Sequence, residues 1–398
     1  MRRSTERILT THGGRLPDPG TMDAFQQARA SGEEDRAAGL LRDGVQEMVR
    51  EQTRRGIDVI GDGEFYKPFF LDPRYYSSRW SGITQVEVAP GEPVWFGARS
   101  PETLDPRFSR FFEFIEQSGG MFPDAGVRRT WPASHRLRVD GPLEYHGKDL
   151  IRGELALVRQ ALVAAGVDHT ETFYPQLSPG WLGHFLFNEH YPSAEEYWYA
   201  LAEAWRGEYE AVAEAGFILQ LDDPALADKY YMFNPPLSVE EYRKDAALRV
   251  EATNHALRNI PEDRIRYHVC WGSWHFPHTT DIPLEHIIDL LLKVRAQAYL
   301  IEAGNVRHEA DYRVWQDVKL PEGKILIPGV VGHATSNLVE SPELVADRLI
   351  RYAGIVGREN MIAGTDCGLG GRCHQDVAWA KLQALAEGAA LASKRLWG

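Results

Sequence analysis

The sequence predicts an α/β protein, a (β/α)8 TIM barrel with a long aromatic-rich insertion after its second strand. Short apolar runs alternate with longer helical patterns along all 398 residues, and several runs are hydrophobic without interruption, as expected of parallel strands covered on both faces. Eight strand–helix repeats favour a barrel over a doubly wound sheet. The predicted strands are residues 8–13, 57–61, 169–174, 217–221, 265–271, 298–303, 324–331 and 361–365.

Start and stop signals delimit the helices between these strands. Ser-x-x-Glu pairs beginning at Ser193 and Ser238 have the spacing of a capping box. Ser341 followed by Pro342 fits an N-cap and the first helical residue. Glycines stand where three helices should end before the next strand, at Gly56, Gly166 and Gly216.

Residues 65–142 interrupt the alternation of strands and helices. The stretch is rich in aromatic residues, proline and arginine, and it includes Trp80, Trp95, Phe96 and Trp131. We interpret it as an insertion, with an extra hairpin near residues 137–145, inside one barrel domain that spans residues 1–398. Excursions of this kind from the catalytic face of a barrel cover the site or join subunits.

Composition narrows the classes of partner. A formal charge of −13, from 57 acidic and 44 basic side chains, repels phosphate backbones and argues against nucleic acid. There is no apolar run of about 18 residues to cross a membrane, and no apolar signal-peptide segment follows Met1-Arg2-Arg3. Three cysteines cannot form a disulfide framework, so a reducing cytoplasm is the expected location.

Polar side chains collect at the C-terminal ends of the predicted strands, where barrel enzymes hold their active sites. A purely structural barrel would have ordinary turn residues there. The residues at or just beyond these ends are His12, Asp62, Glu64, Asp222, Asp223, His268, Cys270, Glu302, His333, Asp366 and Cys367.

The segment His268-Val269-Cys270 is the strongest indication of a specific site. Residues two apart on a strand point to the same face, so one strand offers an imidazole nitrogen and a thiolate to one ion. Cys367 ends a later predicted strand and Glu302 ends the strand between them. Because zinc takes N, S and O ligands in a roughly tetrahedral arrangement, these side chains predict a zinc site built from three strand ends.

A purely structural interpretation remains open for single residues of this set. A lone His-x-Cys pair is weak evidence, since most buried cysteines behave as small apolar side chains. Cys373 is expected to be a free thiol near the rim. His275 and His278, which follow the ligand strand, line the substrate mouth or serve as ordinary loop residues.

The ligand types also constrain the chemistry. Two thiolates and a carboxylate bring three negative charges, so zinc held by them is a poor generator of hydroxide. It can still remove the proton from an arriving thiol, whose free pKa is about 8.5. The site therefore favours alkylation of sulfur over hydrolysis.

At this point the chain resembles the cobalamin-independent methionine synthase family, specifically its catalytic C-terminal barrel, over nearly the whole length. Leu9-Thr10-Thr11-His12-Gly13-Gly14 resembles the family's Thr-Thr-Thr-Ile-Gly-Ser start, and Gly61-Asp62-Gly63-Glu64 its His-Gly-Glu segment. Leu221-Asp222-Asp223-Pro224-Ala225-Leu226 resembles its Ile-Asp-Glu-Pro-Ala-Leu. The family's zinc motifs are matched in order by His268-Val269-Cys270, Ile301-Glu302 and Asp366-Cys367-Gly368-Leu369.

The resemblance implies roles for these positions. Glu64 and Asp222 match the carboxylates that hold the amino-acid thiol, and both can pair with an ammonium group. Gly14-Arg15 stands where the family has Ser-Phe, so Arg15 is a candidate to neutralise a carboxylate or sulfonate. The family's histidine near Gly332 is displaced by about two positions to His333. The implied zinc ligands are His268, Cys270, Glu302 and Cys367.

The leading hypothesis is an enzyme that moves an alkyl group onto a zinc-activated small-molecule thiol, with methyl as the first candidate for the transferred group. A general acid protonates the leaving atom of the alkyl donor, with His333, His12 and Asp62 as candidates. One alternative is the related epoxyalkane:coenzyme M transferase reaction, in which a thiol opens an epoxide. The other is a zinc-binding barrel without catalysis. The sequence leaves open the thiol, the donor, the direction of transfer and whether the chain forms a homo-oligomer.

Overall fold

The computed structural model describes residues 1–67, 73–89, 92, 105–117, 135–233, 235–272, 277–333 and 338–398. Its α-helices are α1 (Met22–Ala30), α2 (Glu34–Arg54), α3 (Pro73–Ser77), α4 (Ser109–Gln117), α5 (Lys148–Ala164), α6 (Pro179–Leu182), α7 (Ala194–Glu214), α8 (Lys229–Met232), α9 (Val239–Ala256), α10 (Ile288–Lys293), α11 (Val314–Asp317), α12 (Pro342–Val356) and α13 (Gln375–Trp397). Across those ranges, none of the helices has the length and apolarity that crossing a bilayer requires.

Two sheets are present in the described residues. The strands are β1 (Trp80–Glu87), β2 (His135–Tyr145), β3 (Phe173–Leu177), β4 (Leu186–Asn188), β5 (Ile218–Asp222), β6 (Ile265–Val269), β7 (Ala298–Glu302), β8 (Ile325–Val331) and β9 (Gly364–Thr365). The larger sheet is parallel in the order β3-β5-β6-β7-β8-β9, and its central strands are buried along their whole length.

Three isolated parallel bridges continue this sheet into a ring. Thr10 pairs with Ala363, Thr11 with Val59, and Gly61 with the first residue of β3. The predicted segments 8–13 and 57–61 thus occupy the two remaining strand positions. They are held partly by side chains, since the Thr11 hydroxyl donates to the Val59 carbonyl at 2.7 Å. The predicted TIM barrel is confirmed.

One predicted strand is displaced. The sequence placed a strand over residues 169–174, whereas His169–Glu171 form a 3-10 turn and β3 begins only at Phe173. The turn forms because the Asp168 side chain accepts a hydrogen bond from the N–H of Thr170 at 2.9 Å. A local side-chain bond of this kind competes with strand pairing.

The predicted helix signals are confirmed. Ser193, Ser238 and Ser341 each accept a hydrogen bond from the N–H three residues on, and Ser238 forms the complete capping box with Glu241. The three predicted stop glycines have positive φ angles of 79°, 75° and 90°, a region that side chains rarely tolerate.

The smaller sheet lies in the predicted insertion and beside it. β2 covers the segment predicted as a hairpin, but it pairs antiparallel with the earlier strand β1 and parallel with β4. Trp80 begins β1 and stacks on Trp205 of α7 with ring centroids 4.0 Å apart, which packs this sheet on the barrel. Of the insertion's other predicted aromatics, Trp95, Phe96 and Trp131 lie outside the described residues.

Candidate active site

Three of the four predicted metal ligands meet at the C-terminal mouth of the barrel. His268 lies in β6, Cys270 directly follows it, and Cys367 follows β9. One ligand atom from each lies within 4.8 Å of the other two, and the residues are 2%, 3% and 7% exposed. Ligands of a tetrahedral zinc lie ~3.5 Å apart, given bonds of 2.0–2.3 Å. The side chains present therefore fit a zinc ion.

The side chains of the cluster change one another's pKa values. A hydrogen bond from the Cys270 thiol holds the pKa of Cys367 well below its ordinary value, and the same bond raises the pKa of Cys270. Burial alone would lower the pKa of His268, but the Cys367 thiolate and Asp222 together raise it to about 10. A nitrogen and two sulfur donors of this kind are the ligands that zinc prefers.

Asp222, at the end of β5, orients the histidine. Its Oδ1 lies 2.8 Å from Nδ1 of His268, and the Gln220 amide donates to the same oxygen at 2.7 Å. Nε2 of His268 is thereby left facing the cluster, 3.1 Å from the Asp366 carbonyl. Carboxylates that fix a ligating imidazole in this way are a common part of metal sites. The predicted contact of Asp222 with substrate stays a prediction.

Glu302 ends β7 and lies beside the cluster without joining it. Its Oε1 accepts a hydrogen bond from the N–H of Trp271 at 3.0 Å, and its Oε2 accepts one from the Asn305 amide at 2.5 Å. Burial, with the charge of Asp366, raises the pKa of Glu302 well above its ordinary value. The role of Glu302 as a fourth ligand stays a prediction.

A buried ion network holds the loops around Glu302. The Trp271 ring stacks on the His308 ring with centroids 3.9 Å apart, and Nδ1 of His308 lies 2.9 Å from Oδ2 of Asp311. His278 bonds to Asp281, which also lies 3.4 Å from His308. The predicted mouth residue His278 therefore contacts the network that supports the site, while the predicted mouth residue His275 lies outside the described residues.

The three predicted acids occupy different surroundings. His333 is buried beside the cluster, with Nε2 3.9 Å from Oε1 of Glu302 and neither ring nitrogen hydrogen-bonded among the described residues. Burial lowers the pKa of His333 to about 3. His12 bonds through Nε2 to Gln52 at 2.8 Å, and burial lowers its pKa to about 4.

Asp62 lies in a separate buried polar group. Its Oδ2 accepts a hydrogen bond from the Tyr66 hydroxyl at 2.6 Å and lies 3.3 Å from Nζ of Lys67. Asp62 also accepts the N–H of Glu64 at 3.2 Å, which fixes the turn that carries this second carboxylate. The geometry gives Asp62 a role in holding this turn, and its role as a proton donor stays a prediction.

Glu64, which lies against Gly14, and the neighbouring Arg15 are both predicted to contact substrate, and the charge of Glu64 acts to raise the pKa of Arg15. Glu64 has a φ of 54°, an uncommon backbone conformation that is often found at functional sites. A Cβ on Gly14 would lie 2.8 Å from Oε1 of Glu64, so the glycine permits this approach. Burial, offset by Lys67 and reinforced by Asp222, raises the pKa of Glu64 to about 7.

Sequence reasoning gave no role to Asp366, although it noted this residue at a strand end. Its carboxylate accepts backbone hydrogen bonds from Ala303 and Gly304, both at 2.8 Å, and from Asn305 at 2.9 Å. Three such bonds tie the end of β9 to the loop after β7. Asp366 thus fixes the position of Cys367 relative to Glu302.

A family model for the catalytic domain of cobalamin-independent synthases matches residues 188–390. The chain belongs to this family. The matched segment contains the metal cluster, Asp222, Glu302 and His333, whereas His12, Arg15, Asp62 and Glu64 precede it.

Individual relatives match a larger share of the chain than the family model does. A 2-hydroxypropyl-CoM lyase from Xanthobacter autotrophicus is 22% identical over 413 residues, which cover 96% of this chain and 94% of the relative. A methionine synthase from Thermococcus kodakarensis is 25% identical over 359 residues, covering 89% and 84%. The resemblance to methionine synthases and epoxyalkane:coenzyme M transferases is therefore confirmed.

Solved structures support the same fold. A B12-independent methionine synthase from Shewanella sp. W3-18-1, in complex with selenomethionine, has a TM-score of 0.67 and 17% identity, covering 98% of this chain and 99% of the other. A putative vitamin-B12-independent methionine synthase from Listeria monocytogenes has a TM-score of 0.62 and 16% identity over the same shares.

Proposed function

We propose that this protein is a zinc-dependent transferase that moves an alkyl group onto a thiol, with methyl as the leading candidate for that group. The observation that carries the proposal is the meeting of His268, Cys270 and Cys367 in one buried group within 4.8 Å, at the mouth of a barrel of this family. Glu302, beside them, is the proposed fourth ligand. These donors bring negative charge, which suits sulfur alkylation better than the formation of hydroxide.

Zinc, when bound, would lower the pKa of an arriving thiol so that its sulfur is ionised and nucleophilic near neutral pH. Asp222 holds the His268 imidazole through its bond of 2.8 Å to Nδ1, so that the other ring nitrogen would be available to bind zinc. Asp366 keeps Cys367 in place through the backbone of the loop after β7. Glu64 and Asp222 supply the carboxylates for an ammonium group of the thiol substrate.

We assign the protonation of the leaving atom to His333. It lies beside the cluster and has ring nitrogens without a described partner, whereas Nε2 of His12 is already bonded to Gln52. Burial lowers the pKa of His333 to about 3, so the imidazole is neutral near pH 7 and must take up a proton before it can act as the acid. A positioned acid of this kind contributes on the order of 10²–10⁴ in rate.

The whole chain acts as one barrel domain in this proposal, with residues 65–142 as an insertion within it. The stacking of Trp80 on Trp205 and the bond from the Trp80 indole to the Ala204 carbonyl at 2.8 Å support this arrangement. Both contacts anchor the described part of the insertion to α7.

A second candidate function is the opening of an epoxide by a zinc-activated thiol. The coverage of 96% of this chain by a 2-hydroxypropyl-CoM lyase favours it. The two functions share the metal chemistry and differ in the electrophile. A barrel that stores zinc without catalysis would need neither the carboxylates nor the buried histidine around the cluster.

The test is to incubate zinc-loaded protein with homocysteine or coenzyme M, plus either methyl-folate or an epoxide, and to identify the thioether by mass spectrometry. Cys270→Ser removes a ligand, so we expect zinc content and product to be lost together. Cys373→Ser is the matched control, since this buried thiol contacts the Leu369 carbonyl at 3.7 Å and lies outside the cluster. Zinc retention by Cys270→Ser would contradict the proposed site.

A further inference from the structure

Arg266 is a buried cation that has no part in the chemistry proposed above. It lies in β6 two residues before His268, so the two side chains point to the same face of the strand. Only 1% of Arg266 is exposed, and its Nε has no hydrogen-bond acceptor among the described residues. Burying an arginine costs free energy that an apolar side chain would not. A cation in this position therefore indicates a role beyond packing.

The guanidinium of Arg266 spans the inside of the barrel. In the ring of strand positions, β6 lies opposite the segment 8–13, which is the fourth position from it in both directions. Nη1 donates to the Thr11 hydroxyl at 2.9 Å, and Nη2 donates to the His12 carbonyl at 2.6 Å. The guanidinium carbon also lies 3.8 Å from the centre of the Phe173 ring, at the start of β3. These contacts tie β6 to the opposite side of the barrel.

The far end of this link reaches Cys367 through Gly13. The N–H of Gly13 donates to the Thr365 hydroxyl at 2.9 Å, and that hydroxyl donates to the Cys367 carbonyl at 2.8 Å. A Cβ on Gly13 would lie 2.6 Å from Cα of Cys367, so the glycine lets the two backbones touch. The carbonyl that Arg266 binds belongs to His12, the residue directly before Gly13. A continuous set of contacts therefore joins β6 to Cys367.

We infer that Arg266 is a positioning residue that sets the distance between the two parts of the proposed zinc site, the pair His268 and Cys270 at β6 and Cys367 after β9. The inference rests on the proposed function and adds to its site a residue that acts through the backbone. Zinc needs ligand atoms ~3.5 Å apart. The two parts are far apart in sequence, so only tertiary contacts can hold them at this spacing. Arginine suits the task, because its planar fork donates in fixed directions.

The test is the zinc affinity of Arg266→Lys, measured by competition with a chromophoric chelator. Lysine keeps the charge, but its single nitrogen cannot reproduce both bonds of the fork. Changes to residues that orient metal ligands typically weaken metal binding by 10- to 100-fold, and we expect a loss of about 10-fold or more. The ligand-field absorption bands of the cobalt-substituted variant should also shift, because they report coordination geometry.

Urea unfolding of the metal-free protein separates positioning from a purely structural role. A structural role would lower the stability of Arg266→Lys while leaving its zinc affinity and cobalt bands unchanged, which would overturn the inference. Arg249→Lys is the matched control, since Arg249 is also 1% exposed and donates from Nη1 to a backbone carbonyl, that of Ala225, at 2.7 Å. We expect this control to lose stability and to keep the zinc affinity of the wild type.

Thr365→Val tests the other end of the link and serves in case Arg266→Lys does not fold. Valine removes the hydroxyl that lies between Gly13 and Cys367, and we expect zinc binding about 10-fold weaker. In the double variant the loss should be smaller than the product of the two single losses, because both substitutions break the same link. Wild-type zinc affinity in either folded variant would overturn the inference and leave the proposed function standing. A wild type that binds no zinc would overturn the proposed function itself.

Discussion

Replacing Asp222 by asparagine separates two roles that this residue can have. The carboxylate lies 2.8 Å from Nδ1 of His268, and asparagine keeps its shape while removing its charge. The Gln220 amide, now 2.7 Å from Oδ1, can still donate to the new side chain, so the fold should be kept. The substitution therefore weakens the hold on the imidazole with little other disturbance.

The magnitude follows from the position of Asp222 behind a proposed ligand. Loss of such an orienting carboxylate typically costs 10- to 100-fold in metal affinity, or about 1.4–2.7 kcal/mol. We expect this weakening for zinc in Asp222→Asn. The assay is competition for zinc with a chromophoric chelator at constant pH.

Asp289→Asn provides the control, since this residue is partly exposed and pairs with Arg243 at 2.7 Å, in the contact between α9 and α10. Its zinc affinity should equal that of the wild type. If Asp222→Asn keeps zinc affinity within about twofold of wild type but binds the thiol more weakly, Asp222 is a substrate contact and not an orienting residue.

Two further changes test packing and titration. Gly329→Ala should destabilise the protein by ~1–3 kcal/mol, since its Cβ would lie 2.5 Å from Cα of Asp366. Gly153→Ala, whose Cβ would have nothing within 4 Å, should instead stabilise helix α5 by ~0.5–1 kcal/mol. Thermal unfolding compares the two variants, and equal melting temperatures would refute the close packing at Gly329. Burial raises the pKa of Glu64 from 4.5 to about 7, so its ionisation opposes folding increasingly as pH rises through this interval. Glu64→Gln should therefore gain stability over wild type between pH 5 and pH 8 in urea unfolding, and parallel pH profiles would contradict the assignment.

Much of the fold follows from local pattern. Apolar runs and helix caps are properties of neighbouring residues, which is why Ser193, Ser238 and Ser341 mark true helix starts. The position of β3 did not follow, because the Asp168 side chain competes for the backbone of Thr170. The partner of β2 is likewise non-local, since strand pairing depends on chain segments far apart in sequence.

The sequence by itself determined that His268 and Cys270 face the same way, because alternation along one strand requires it. Only the closed ring decided that Cys367 reaches them, since Thr10, Val59 and β3 complete the barrel through single bridges. The tertiary structure also decided which partner each polar side chain takes. Glu302 faces donors from Trp271 and Asn305. Local periodicity determines which face of a strand a side chain occupies, but distant segments supply the hydrogen-bond donors and acceptors that compete for it.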